Sequence, residues 1–228
     1  NACPTKASKP MRQLRITIWV LLFAVAFAFV EAAVVVYLRG LYYPGGFTFP
    51  LKLVSNQHIA VELAREAATL AMLVTVGILA GRTRWQRTGF FMLAFGVWDL
   101  FFYLWLKLVL DWPVTLFDWD ILFLIPLPWI GPVIAPVAIS AVLVVAGLWD
   151  LRTEHQQGVF KPPKLAWALA GVATVVILIS FMMDTNATLR LQMPEPYRYE
   201  LLVVGLVLYI AGMVLSFRRR KGGGEGRA

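Results

Sequence analysis

The chain has 228 residues, of which 60% are apolar and 14% aromatic, and its mean hydropathy is +0.72. Soluble domains hold about 45–50% apolar residues, so this composition excludes a water-soluble globular protein. It describes one membrane domain of several helices, with no length left for a separate soluble catalytic head. The net charge of +8 sits at the ends of apolar runs and not in a patch interleaved with exposed aromatics, which argues against nucleic acid as a partner.

The single cysteine, Cys3, excludes an intrachain disulfide and any Cys-based zinc or iron–sulfur site. Residues 1–15 read as a cytoplasmic N-terminal leader, with Met11, Arg12 and Arg15 resembling a natural start. Apolar runs at 16–38, 58–80, 88–110, 130–150, 164–183 and 200–217 each approach the ~20 residues that cross a bilayer. The expected fold class is therefore all-α, a six-helix integral membrane bundle over 16–217 followed by a basic cytoplasmic tail at 218–228.

Orientation follows from the flanks. Four basic residues precede the first run, Arg82, Arg84 and Arg87 join the second to the third, and Arg152, Lys161 and Lys164 join the fourth to the fifth. With the tail from Arg218 to Arg227, this places 15 of 21 basic residues on one side. By the positive-inside rule both termini are cytoplasmic. Arg12, Arg15 and Ala26-Phe-Ala28 also resemble a signal peptide, but the run resumes after Glu31 and is too long for a signal core. The first helix is expected to be retained.

Along the chain, Gly40 to Gln57 is turn-rich and aromatic, and is expected at the outer interface, packed back on the bundle. The stretch from Asp111 to Pro132 is too apolar for a solvated loop and too interrupted by Pro113, Pro126 and Pro128 for a span. Asp118 is placed to cap a short helix through Ile125, ended by Pro126. The segment reads as Pro-rich and interfacial or re-entrant between helices three and four, either a lid over polar residues or an aromatic belt. Ala166, Ala170 and Thr174, and Gly77 with Gly81, form small-residue spacings that permit close helix packing. Asn186-Ala-Thr188 matches a glycosylation acceptor by coincidence.

The second run opens with an ionisable stripe. His58, Glu62 and Glu66 recur every fourth residue on one helix face, with Arg65 beside them. A charge near mid-bilayer costs roughly 2.5–3.5 kcal/mol on the permissive insertion scale, so such a stripe must face protein, water or an ion. Asp99, Tyr103 and Lys107 repeat the spacing on the third helix. At ~1.5 Å per residue, Glu31, Glu66 and Asp99 fall ~10, ~12 and ~16 Å below the outer boundary, close to one layer with Glu62.

The polar intramembrane cluster is thus Glu31, His58, Glu62, Arg65, Glu66, Asp99, Tyr103 and Lys107. Three readings stay open. The charges fasten helices together; or Glu31, His58, Glu62, Glu66 and Asp99 bind a divalent metal ion in an enzyme; or the carboxylates line a proton or cation pathway. His155 is assigned to a cytoplasmic loop, and no Glu-x-x-His motif is present. The halves show no inverted repeat of the kind secondary transporters use.

The block Phe95-Gly-Val-Trp98-Asp99-Leu-Phe-Phe-Tyr103-Leu-Trp-Leu-Lys107, with Trp112-Pro113 and Trp119-Asp120 through Pro132, resembles uncharacterised bacterial polytopic membrane proteins. The likeness extends to Val61–Thr69 and covers about half the chain. It implies a bacterial inner membrane and carries no activity or catalytic residues. The function expected is that of a subunit or scaffold of a membrane assembly, partnered by the lipid bilayer and by other subunits or further copies of itself.

Overall fold

The computed structural model describes residues 8–157 and 162–224, with side chains over 11–152 and 162–216. Its elements in order are α1 (Ser8–Tyr42), α2 (Asn56–Ala80), α3 (Arg84–Leu110), β1 (Trp119–Phe123), β2 (Trp129–Pro132), α4 (Ile134–Gln157), α5 (Lys164–Met182), the short α6 (Thr185–Leu189) and α7 (Tyr199–Gly224). Six helices are long and apolar enough to cross a membrane. They correspond to the six apolar runs, and the chain is a multi-pass membrane protein.

The surface supports the same conclusion. Within the six apolar windows only 17% to 39% of residues are buried inside the protein. Trp19, Leu79, Val175, Val203 and Val207 all point outward. Lipid is the solvent such faces fit.

Some boundaries move. α1 starts at Ser8, inside the stretch read as a leader, and residues 1–7 of that stretch lie outside the described residues. The tail reading meets the end of α7, which runs to Gly224, with 225–228 again outside the described residues. His155, assigned to a loop, is carried on α4. Arg39, which the apolar run 16–38 leaves just outside the first span, is in the last turn of α1.

The chain gathers into two compact units. The first contains α1 to Leu41, α2 from Ala67, α3, and α4 from Val137. Thr83 caps α3, its hydroxyl accepting from the Gln86 N–H at 3.1 Å, while the Gln86 side chain accepts from the Arg82 N–H at 3.0 Å. These bonds satisfy donors that the first turn leaves open. Asp111 ends the helix in the left-handed region at φ 52°. α1 lies on α3 through Phe27 against Trp98 and Phe29 against Trp105, and the Trp105 indole N–H donates to the Val25 carbonyl at 3.2 Å.

α3 meets α4 through glycine. A Cβ on Gly96 would stand 2.7 Å from the Ser140 carbonyl oxygen, and one on Gly147 would stand 2.7 Å from the Gly89 carbonyl oxygen. Only residues without a side chain let these backbones approach so closely.

The second unit contains Tyr42–Glu66, the region 116–136 and the chain from Lys161 onward. α5 and α7 pack with Gly205 against Ile177 and Gly212 near the Ala166 carbonyl, and Thr174 hydrogen-bonds to the Tyr209 hydroxyl. The small residues read along α5 thus serve this helix pair. The loop 43–51 folds back on the same unit: Tyr43, Phe47 and Phe49 form successive edge contacts that reach Trp119 at 6.2 Å, and the Tyr43 hydroxyl accepts from the Lys52 N–H.

The segment expected as a short helix from Asp118 to Ile125 is instead a hairpin. β1 and β2 pair antiparallel, Trp119 opposite Pro132, Asp120 opposite Gly131 and Ile121 opposite Ile130, with an irregularity before Phe123. The Asp118 carbonyl accepts from Val133 N–H and the Leu116 carbonyl from Ile134 N–H, extending the ladder. An eight-residue helix would leave four N–H and four C=O groups without intrahelical partners, whereas pairing the two arms satisfies the groups that face each other across the ladder. Ile121, Phe123, Trp129 and Ile130 are also residues that favour strands.

Candidate functional site

α2 begins on Ser55, whose hydroxyl accepts from the His58 N–H at 3.3 Å and whose carbonyl accepts from Ile59. This N-cap sets the angular positions of His58, Glu62 and Glu66. The three then go to different partners.

The exposed His58 ring pairs through Nδ1 with the Tyr42 hydroxyl, and the two rings meet edge to face with centroids 5.8 Å apart. Glu62 turns along its own helix to Arg65, whose Nε donates to Oε2 at 2.9 Å while Nη2 donates to Oε1, a two-pronged pair. Such forked geometry is the strongest form of an Arg–carboxylate contact. Glu66, buried, accepts the Leu124 N–H at 2.9 and 3.0 Å on its two oxygens and also accepts from Ile125. It closes the end of β1, where Pro126 and Pro128 leave backbone donors that the ladder does not use. A carboxylate is the acceptor with the most capacity for that place.

The cluster members of the first unit are paired in the same way. Buried Glu31 accepts from the Thr69 hydroxyl at 3.0 Å, joining α1 to α2. Asp99 accepts from the Ser140 hydroxyl at 2.8 Å, joining α3 to α4 beside Gly96. Lys107 reaches one turn on to Asp111, with Nζ 2.7 Å from Oδ1 and 3.3 Å from the main-chain oxygen. That hydrogen bond, followed by the ammonium charge, holds the Asp111 carboxyl below its usual range. Tyr103 is buried between Phe102 and Trp112.

The partners were not legible in the sequence, Arg39 and Leu124 among them. The Arg39 guanidinium lies over the Trp112 ring, 3.7 Å from its centroid, a cation–π contact that lets a buried arginine sit in an aromatic setting. Leu124 was missed because the partner is a backbone N–H, which carries no residue signature. The Lys107–Asp111 pair was not read either, although its four-residue spacing is one that allows it.

Among the described residues, no three His, Cys, Asp or Glu side chains gather in the manner of a metal-ligand group. What the arrangement does chemically is give each of the carboxylates of Glu31, Glu62, Glu66 and Asp99 a hydroxyl, guanidinium or backbone N–H partner nearby. No known protein family matches the chain, and no curated protein or solved structure is similar to it. The geometry alone therefore carries the reading of the site.

Proposed function

We propose that the chain is a subunit or scaffold of an assembly in a bacterial inner membrane, with both termini cytoplasmic and the intramembrane charges acting as internal fastenings. The observation that carries this reading is that Glu31, Glu62, Glu66 and Asp99 each have a bonding partner inside their own unit. Polar groups in lipid are retained when such contacts fix helix packing. The orientation rests on the 15 of 21 basic residues that flank the runs on one side. The β1–β2 hairpin is then an outer, interfacial or re-entrant element, its facing backbone groups paired in the ladder and the Leu124 N–H bonded to Glu66.

Most residues in the apolar windows of the six long helices are not buried inside the protein, and these membrane faces are what a role in an assembly would use. Extraction in mild detergent followed by native electrophoresis and mass spectrometry tests this. The chain is expected in a species larger than its own 25.6 kDa plus detergent, with other polypeptides or further copies in fixed ratio. A single chain migrating alone under every mild extraction condition would contradict it.

A further inference from the structure

A shallow, half-open cleft lies in the second unit where α5 ends and α7 begins. Its walls bring together an aromatic corner, two acids and one base. Trp119 stands at 84° to Tyr197 with ring centroids 6.1 Å apart. Tyr197 is fixed from behind by Phe181, stacked at 6.2 Å, and by its hydroxyl, which donates to Ser180 Oγ at 2.8 Å. Ser180 in turn donates to the Ile177 carbonyl. Burial, set against that hydrogen bond, pushes the Tyr197 phenol up to about 12, so the ring stays neutral.

Asp184 and Glu195 line the same cleft with Arg198. One Asp184 oxygen accepts the Glu195 N–H at 2.6 Å, tying the loop to the end of α5. The Glu195 side chain is exposed, and Arg198 lies 3.8 Å from Glu200. Two acids and one base leave the cleft one negative charge in excess. The C-terminal end of α5, at Met183, adds the negative pole of its helix.

Perpendicular aromatic faces backed by carboxylates attract alkylammonium groups through the ring quadrupole and the charge together. Arginine beside them suits a phosphate. We propose that this cleft binds an alkylammonium group carrying a neighbouring phosphate, the chemistry of phosphoethanolamine and phosphocholine. The ammonium lies in the Trp119–Tyr197 corner against Asp184 and Glu195, and the phosphate faces Arg198. The cleft lies at the ends of two helices long enough to span, which is headgroup depth in a bilayer. The inference is independent of the pairing on α2.

Purified protein, stripped of lipid, is reconstituted in nanodiscs of mixed phosphatidylethanolamine and phosphatidylglycerol, and retained lipid is counted by native mass spectrometry. Soluble phosphocholine is added as competitor in a parallel arm. Phosphatidylethanolamine is expected to be retained about fivefold or more over phosphatidylglycerol, with the preference lost in Glu195→Lys or Trp119→Leu. Glu195→Lys alters an exposed side chain, and circular dichroism verifies that both variants fold. Competition by phosphocholine identifies the headgroup alone as sufficient; preference without competition identifies the membrane lipid as the ligand. Equal retention of the two lipids, or a preference that survives both substitutions, overturns the proposal.

Discussion

Arg65→Leu is expected to destabilise the protein by about 3 kcal/mol, and Glu62→Leu combined with Arg65→Leu to recover most of that loss. The two side chains are only 20% and 18% exposed within the protein and meet through two parallel bonds. Removing the guanidinium alone leaves a carboxylate with neither water nor counter-charge, and this stranded charge is the main source of the cost. Removing both strands no Glu62 charge, and the loss that remains is the Arg65 charge that Glu66 also feels. Denaturant unfolding of the two single variants and the double variant in one detergent gives the coupling directly. Additive losses, with the double variant the least stable of the three, would mean that the pair is not an internal fastening.

The second large effect lies at the α3–α4 crossing. Gly147→Leu should cost at least about 1–3 kcal/mol and is expected to disrupt packing of the first unit. A Cβ there meets the Gly89 carbonyl oxygen at 2.7 Å and the Leu93 nitrogen at 2.9 Å, both backbone atoms held in a helix. Neither can swing aside as a side-chain end could. Gly171→Leu on α5 is the matched control, because a Cβ at that position has nothing within 4 Å. It should be neutral or slightly stabilising, since leucine is the better helix former by nearly 1 kcal/mol. Equal effects of the two substitutions on the melting temperature would remove the steric argument.

The membrane helices were legible because a span has a length requirement that apolar composition meets or fails over ~20 residues. Their ends were less so: α1 extends to Tyr42 and α4 begins only at Ile134, because the residues 130–132 that look like span are taken by β2. The hairpin was illegible for a definable reason. Asp118 before an apolar stretch ended by proline is a sound helix signal locally, and only pairing with a second arm, Trp129–Pro132, makes the strand the better solution. Two-arm pairing is non-local and leaves little trace in a single segment.

The ionisable stripe was legible as a set of positions but not as a set of partners. Spacing by four put His58, Glu62 and Glu66 on one face, yet Tyr42, Arg65 and the Leu124 N–H each take one of them. Side-chain reach of a few ångströms decides such pairings, and helical periodicity does not encode it. Thr69 and Ser140, the partners of Glu31 and Asp99, are common in membrane helices. Nothing in their neighbourhood marks them out. Gly89, Gly96 and Gly147 could have been found by extending the small-residue search from α5 to α3 and α4, where Gly89 and Gly96 recur every seventh residue along one face.

If the intramembrane carboxylates hold the protein together as proposed, the loss of Glu66 is where it should show first. Metal content by mass spectrometry and thermal unfolding should be measured side by side on the purified protein and on Glu66→Gln. No stoichiometric iron, manganese or zinc is expected in either, and a lower melting temperature for the variant, because an NH2 donor replaces one of the two oxygens that accept the Leu124 N–H. Near-stoichiometric metal in the unaltered protein that disappears in Glu66→Gln would contradict it and make the carboxylates a ligand set.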